Sequence, residues 1–327
     1  MDQISAVNSR KNNIIDYVRR NGINFFLYGL VIVLFLLGGV VSSGFLEVQH
    51  IGAILRTASF LGIVAIGQTL VILLGGIDLS VGPIITMGNV FICMFMNGVD
   101  ANNFWSLAVI ILLGLFIGSI NGMGVAFLKI SPIVMTMAVG SLVTGFTLIF
   151  SQGAPKGLAS TFLRQVGVGY VGNIVPIIVV IWVVFSIITI IFLGSTVFGR
   201  KLYLTGASNK VAYLSGVNVP WVIVAAYALS GVFAILAGAF MAGYTQTAFL
   251  AIGDEYTMWS ITAVVIGGTS LTGGKGGYIG TIAGAIILVL LESILTIVHV
   301  PDAGRQIANG LIILIMITIY FRKPRSK

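Results

Sequence analysis

The sequence is poor in the residues that most catalytic and metal sites use. Its 327 residues include one cysteine and two histidines. Cys93 has no partner for an internal disulfide, and His50 and His299 lack the spacing or the cysteine neighbours of a zinc site. No G-x-S-x-G motif marks a serine nucleophile. These absences argue against a disulfide framework, a metal centre and a serine hydrolase.

Charged residues are equally scarce. They make up 8% of the chain, against about 25% in a typical soluble domain, while 58% of residues are hydrophobic and the mean hydropathy is +1.11. Many apolar runs reach the roughly 20 residues that a bilayer-spanning helix needs. The sequence therefore predicts an all-α integral membrane protein. Its net charge of +8 is explained by the cytoplasmic bias of lysine and arginine, and no nucleic acid partner is expected.

The apolar runs predict about ten membrane spans. The third and eighth are short and adjoin glycine-rich stretches, as interrupted helices do where they border a transport pathway. The predicted spans are 24–42, 52–75, 80–97, 104–128, 132–150, 174–194, 220–243, 256–268, 277–298 and 305–321.

The distribution of basic residues predicts the orientation. With the N-terminus inside, 13 of the 17 lysines and arginines fall in inner segments, as the positive-inside rule requires. The polar residues 1–23 lack the features of a cleaved signal peptide. We expect a cytoplasmic tail at 1–23, a membrane domain at 24–321 and a second cytoplasmic tail at 322–327.

The glycine-rich stretch "GGIDLSVG" at 75–82 has an echo 192 residues later, "GGTSLTGG" at 267–274. With a second similarity between 120–132 and 308–324, it predicts a parallel repeat of spans 1–4 and 7–10. Asp78 is replaced by Ser270 in the second copy.

The few acidic residues near or within spans are candidates for the transport pathway. Asp78 and Ser80 either cap the third helix or contact the substrate. Glu292 lies within the ninth span, where it either pairs helices or takes part in transport. Glu255 is placed by the hydropathy in an outer loop near the mouth. The candidate pathway residues are Asp78, Ser80, Glu255, Ser270 and Glu292.

The chain carries no nucleotide-binding loop of its own. "GGTSLTGGKGG" at 267–277 lacks the first glycine of the Walker A pattern and has Gly276 where the pattern needs Ser or Thr. A transporter without this site needs another energy source, so ATP and Mg are expected on a partner and no cofactor on this chain.

Three stretches resemble the permease subunits of bacterial ribose-type monosaccharide ABC importers. They are "GQTLVILLGGIDLSVG" at 67–82, "TVFGRKLYLTGASNKVAYLSGVNV" at 196–219 and "ITAVVIGGTSLTGGKGGYIGT" at 261–281. The similarity in their order and spacing extends over nearly the whole chain.

The resemblance implies a type II permease fold, similar to the vitamin B12 importer, in the bacterial cytoplasmic membrane. It further implies a second permease subunit, a cytoplasmic ATP-binding subunit and an extracytoplasmic sugar-binding protein. By the same resemblance, residues 196–219 form the loop on which the ATPase docks. The matching residues there are Arg200, Gly206, Asn209, Ala212, Ser215 and Gly216.

The sequence departs from this family pattern at "GDEYTMWSITAVV", residues 253–265. Relatives commonly have a second acidic residue after the position of Glu255, and a smaller residue at Trp259. This difference leaves the substrate open between a ribose-like sugar and a nucleoside or furanosyl signalling molecule. A secondary carrier driven by an ion gradient is the alternative of another class, although its expected intramembrane carboxylates are nearly absent.

Overall fold

The computed structural model is almost entirely helical, as the composition predicts. It describes the backbone of residues 2–301, 303–308, 310–311 and 314, and the side chains of these residues from 22 onward. The predicted tenth span and the C-terminal tail lie mostly or wholly outside the described residues.

Twelve α-helices are present between residues 2 and 297 of the described chain, and residues 303–308 are helical as well. The twelve are α1 Asp2–Val41, α2 Val48–Leu73, α3 Val81–Met96, α4 Asn103–Ala126, α5 Pro132–Ser151, α6 Thr161–Val168, α7 Ile177–Ser195, α8 Val197–Ala207, α9 Asn209–Leu214, α10 Val219–Thr245, α11 Asp254–Ile266 and α12 Tyr278–Ile297. Short 3-10 turns cover Ser43–Leu46 and Asp100–Asn102. A two-stranded antiparallel hairpin pairs β1 Tyr170–Val171 with β2 Val175–Pro176.

Helices occupy nine of the ten predicted spans. Seven of them, all in the described residues, are long and apolar enough to cross a membrane. In α1 only the part from Gly22 to Val41 has this character. The other two, α3 and α11, have 16 and 13 residues. The two short spans of the sequence are therefore short helices in the structure.

Helices α2 and α10 form the centre of the bundle. In α2, 83% of the most apolar window is buried, against 22% in α1. Helix α10 packs against α2, α3 and α4. Its contact with α4 is close because Gly114, Gly118 and Gly122 meet the backbone of α10, where any added Cβ would collide.

Candidate functional site

The two glycine-rich helix breaks, residues 74–80 and 267–277, contact the segment 196–219 that the resemblance assigns to ATPase docking. We call residues 196–219 the inner segment. The amide of Gly274 donates to the carbonyl of Leu73, at 2.9 Å. Gly206, near the end of α8, packs on both, and a Cβ there would collide with the Leu73 oxygen. We call this contact of break 74–80, break 267–277 and α8 the glycine junction. We call the end of the bundle that carries it the inner end, after the orientation that the sequence predicts.

Glycine is required in the glycine junction for two reasons: a side chain would collide with the neighbouring backbone, and several positions have a backbone conformation that favours glycine. Gly75, Gly273 and Gly274 have φ values of 78°, 81° and 71°, in the left-handed region that glycine enters without steric cost. The helices can therefore end and turn within a few residues while their backbones remain in contact.

Helices α8 and α9 form the inner segment, and each is capped by a hydroxyl. Thr196 accepts a hydrogen bond from the amide of Gly199 at 3.1 Å, and Ser208 accepts one from Val211 at 3.3 Å. Tyr203 of α8 donates its hydroxyl to the carbonyl of Gly276 at 2.9 Å. Burial raises the pKa of the Tyr203 phenol, so this group stays neutral and remains a donor.

The predicted docking residues divide into two sets. Arg200, Asn209, Ser215 and Gly216 are exposed. Ala212 is buried, and Gly206 belongs to the glycine junction. The sequence analysis missed two exposed neighbours, Tyr213 and Leu214. Their signal in the sequence is that they are large apolar residues in a segment predicted to be polar and cytoplasmic.

Asp78 lies fully buried in break 74–80, where its carboxylate accepts hydrogen bonds from two hydroxyls and a backbone amide. One carboxylate oxygen accepts from the backbone amide and the hydroxyl of Ser80, at 3.0 and 2.6 Å. The other accepts from the hydroxyl of Ser230 in α10, at 2.8 Å. Asn121 of α4 donates to the Ser80 hydroxyl at 2.8 Å. This set, Asp78, Ser80, Asn121 and Ser230, is the carboxylate network.

The carboxylate network corrects the expectation of a simple helix cap. Ser80 is the N-terminal flanking residue of α3. Its carbonyl accepts from the Ile84 amide, but its side chain makes no capping bond into the helix. Asp78 bonds Ser80 itself rather than an amide inside α3. Its effect is to join the break to α4 and α10. Neither Asn121 nor Ser230 carried a sequence signal beyond being polar within an apolar helix.

The starts of α3 and α11 meet about halfway along the bundle. Gly82 donates its amide to Thr257 at 3.1 Å, and Gly253 donates to Thr86 at 3.2 Å. Helix α11 has 13 residues, so it begins about 20 Å from the inner break, whereas α2 with its 26 residues is about 39 Å long. Helices α3 and α11 are thus half-helices that run from mid-depth in opposite directions.

This arrangement overturns the placement of Glu255 at the outer mouth. After α10 ends, the chain turns back into the bundle, where the amide of Phe249 donates to Asn89 of α3 at 2.7 Å. Asp254 and Glu255 form the first turn of α11 and lie at mid-depth. Both are exposed on the isolated chain. The hydropathy placed them in an outer loop because a half-helix with two carboxylates has a weak apolar signal.

The remaining two predicted pathway residues lie apart from the carboxylate network. Ser270 shares a hydrogen bond with Thr272 within break 267–277, at 2.8 Å. Glu292 forms an ion pair with Arg305 at 3.0 Å, towards the end of α12 away from the glycine junction. The two copies of the glycine-rich stretch also differ in their structural setting. The long helix α2 precedes the first break, whereas the long helix α12 follows the second.

Comparison with known proteins finds close similarity along most of the chain. Residues 50–320 match the family described as the permease component of a branched-chain amino acid transport system. The ribose import permease protein RbsC of Bacillus subtilis is 34% identical over 298 residues, which cover 89% of this chain and 90% of that protein. RbsC of Haemophilus influenzae is 33% identical over 291 residues, covering 88% and 90%.

A relative with a different named cargo is about as similar. The autoinducer 2 import system permease protein LsrC of Salmonella typhimurium is 33% identical over 299 residues, covering 87% of this chain and 81% of that protein. No solved structure matches the chain significantly.

Proposed function

Because this chain belongs to the ABC permease family that includes the ribose import permeases, we propose that it forms one of two membrane subunits around a pathway for a ribose-like sugar. The chain is the membrane subunit of a sugar ABC importer, a multi-pass protein of the inner membrane. As a transport subunit it needs a partner ATPase, which binds ATP and Mg, and a binding protein that delivers the sugar. A permease driven by a partner ATPase replaces the alternative of a carrier driven by an ion gradient.

The observation that carries the proposal is the exposed inner segment. Tyr213 and Leu214 are 73% and 74% exposed, at the end of the bundle where the chain leaves the bilayer. Exposed apolar side chains rimmed by polar ones are typical of a protein interaction site. The neighbouring basic residues Arg200, Lys201 and Lys210 are also exposed. We infer that the ATPase docks here, with an apolar pocket for α9 and acidic groups around it.

The glycine junction supplies the route by which docking acts on the membrane helices. Since α8 contacts the end of α2 and Gly274 in break 267–277 through backbone atoms, a displacement of α8 moves both breaks together. Closely packed backbones transmit such a displacement because they have little freedom to deform. ATP binding and hydrolysis in the partner then change the positions of the two half-helices, and with them the access to the pathway.

The proposed arrangement in the membrane follows from the inner segment. We place α8, α9 and both termini in the cytoplasm, with the hairpin β1–β2 outside, and a tenth span after α12 in a type II fold. The basic residues of the inner segment support this orientation.

The substrate proposal rests on the named cargo of the relatives. Ribose is the first candidate, and autoinducer 2 is the second because the LsrC similarity is nearly equal. Uptake into proteoliposomes that contain the chain, its cognate ATPase and its binding protein distinguishes them. We expect ATP-dependent uptake of ribose; uptake of autoinducer 2 alone would reassign the cargo, and uptake without any ATPase would overturn the mechanism.

The docking surface gives the first prediction. Replacing Tyr213 and Leu214 together with alanine is expected to weaken association with the ATPase at least tenfold. Truncating an aromatic interface anchor typically costs about 2 kcal/mol or more, and about 1.4 kcal/mol is tenfold in affinity. Copurification from detergent and a titration of the ATPase measure the change.

A matched control for this prediction is Tyr170→Ala, which removes an exposed tyrosine from the hairpin at the outer end. It is expected to leave ATPase binding unchanged. Unaltered binding in the double variant would place the docking site elsewhere.

A further inference from the structure

Two carboxylates lie at mid-depth in the bundle, where lipid cannot solvate their charge. Asp254 and Glu255 begin α11 and are exposed on the isolated chain. A charged side chain in a membrane almost always faces the interior of the bundle or a water-filled cavity. The irregular residues 246–253 before them need the same protection, because unpaired backbone is not tolerated against hydrocarbon. This side of α11 therefore borders water or the second subunit.

A small cavity adjoins Asp254 at this depth. It has a volume of about 40 Å³ and lies between α3, α5 and the start of α11. Its polar lining residues are Thr86, Thr144, Thr147 and Asp254, and its apolar ones are Pro83, Leu148 and Leu250. About 10–15 Å³ on this measure accommodates one water. The cavity therefore holds about three or four water-sized groups, which is enough for the hydroxyls on one edge of a sugar but too little for a whole ring.

The hydrogen bonds already made by the threonines determine what the cavity accepts. Thr144 and Thr147 donate their hydroxyl protons to the carbonyls of Gly140 and Val143, at 3.1 and 2.8 Å, so their oxygens remain as acceptors. Thr86 accepts from the Gly253 amide, so its proton remains available. The Asp254 carboxylate adds acceptors. This pattern matches the hydroxyl groups of a neutral polyol, which both donate and accept.

The two exposed faces of α5 differ in polarity, as expected for a helix that has a polar ligand on one side and lipid on the other. Ser141 and Thr144 are exposed on the side of the cavity. Leu142 and Phe146 are exposed on another side, where they line a groove of about 510 Å³ whose lining residues are all apolar. One helix thus presents hydroxyls on one face and hydrocarbon on the other at the same depth.

We propose that Asp254, Thr86, Thr144 and Thr147 form a hydroxyl-binding subsite on the wall of the transport pathway. The subsite contacts one edge of the passing monosaccharide, and the apolar face of α5 contacts lipid. The inference rests on the proposed function for the identity of its ligand. It adds residues that the sequence analysis did not select.

The experiment uses the single native cysteine to advantage. Cys93 is buried, and Cys93→Ala removes the one thiol of this chain, whose labelling is then read on the separated subunit. Thr144→Cys and Leu142→Cys are then compared in proteoliposomes that contain the whole importer. We expect a charged, membrane-impermeant methanethiosulfonate reagent to label position 144 at least ten times faster than position 142. During ATP-driven turnover, ribose-loaded binding protein is expected to slow the labelling at 144 at least threefold relative to empty binding protein.

A second variant tests the carboxylate. Asp254→Asn is expected to reduce ribose uptake at least fivefold while ATP hydrolysis stimulated by the binding protein continues. The variant has one neutral acceptor oxygen in place of two charged ones, so its hydrogen bonds to the sugar hydroxyls are weaker, and its inner segment is unchanged. Equal labelling at 142 and 144, no effect of ribose on labelling, or unchanged uptake in Asp254→Asn would each overturn the subsite. Active ribose uptake by the parent protein in the same vesicles shows that the proposed function stands in those cases.

Discussion

Adding a single methyl group at Gly206 is expected to reduce ATP-driven uptake at least tenfold. In Gly206→Ala the new Cβ meets the carbonyl of Leu73 and the amide of Gly274, which are backbone atoms that cannot rotate away. Helix α8 must move outward, and the hydrogen bond between Leu73 and Gly274 is strained or lost. Overpacking of this kind typically costs about 1–3 kcal/mol. Uptake of labelled ribose into proteoliposomes measures the functional loss.

The same variant separates docking from transmission. The exposed residues Tyr213 and Leu214 are untouched in Gly206→Ala, so ATPase binding is expected to persist while uptake falls. Gly194→Ala is the matched control, because a Cβ added there meets no atom within 4 Å although it lies in the last turn of α7, close to the inner segment. Normal uptake in both variants would show that the glycine junction does not carry the coupling.

Removing the buried carboxylate is expected to destabilise the whole bundle. Asp78→Ala leaves the Ser80 amide, the Ser80 hydroxyl and the Ser230 hydroxyl without their acceptor in a site closed to water. A buried group that loses its partner costs about 1–3 kcal/mol. We expect the midpoint of thermal unfolding in detergent to fall by several degrees, and the yield of folded protein to fall with it.

Asp78→Asn is the informative companion to this variant. The amide oxygen still accepts from Ser80, and the Ser230 hydroxyl rotates to donate elsewhere or to accept from the new NH₂ group. Its stability is therefore expected to lie close to that of the parent protein. If Asp78→Asn is as damaging as Asp78→Ala, the negative charge itself is required, and the view of Asp78 as a hydrogen-bond acceptor is wrong.

Much of the architecture could be predicted because its signals are local. Long apolar runs in a chain with few charges specify membrane helices, and nine of the predicted spans coincide with helices. Glycines 75–76 and 267–268 marked the two breaks, since a helix ends where the backbone must leave the helical region. Ser208 is a local signal of the same kind, since serine is a favoured N-cap residue and its side chain caps α9.

The contacts of the candidate site could not be predicted because they join distant parts of the chain. Nothing near Asp78 in sequence indicates Ser230, and nothing near Gly206 indicates Leu73. Periodicity shows that a residue lies on a buried face but not which helix covers it. The spatial meeting of the two breaks was therefore accessible only through the packing of α2, α8, α11 and α12.

The half-helices expose a specific weakness of hydropathy. A half-helix crosses only part of the membrane. It therefore contains too few consecutive apolar residues for hydropathy to identify it as a full span. Asp254 and Glu255 were consequently assigned to an outer loop. Their true depth follows from the contact between Gly82 and Gly253, which only the folded chain reveals.

The carboxylate network also constrains how the protein is made. Ser230 follows Asp78 by 152 residues, and a ribosome adds about 5–20 residues per second. Asp78 is thus synthesised roughly 8–30 s before its α10 partner. During that interval the acid has only Ser80 to bond, and Asn121 later bonds that serine rather than the acid. Insertion of α10 is the event that completes this site, so a nascent chain stalled before α10 retains an incompletely bonded acid within its first membrane helices.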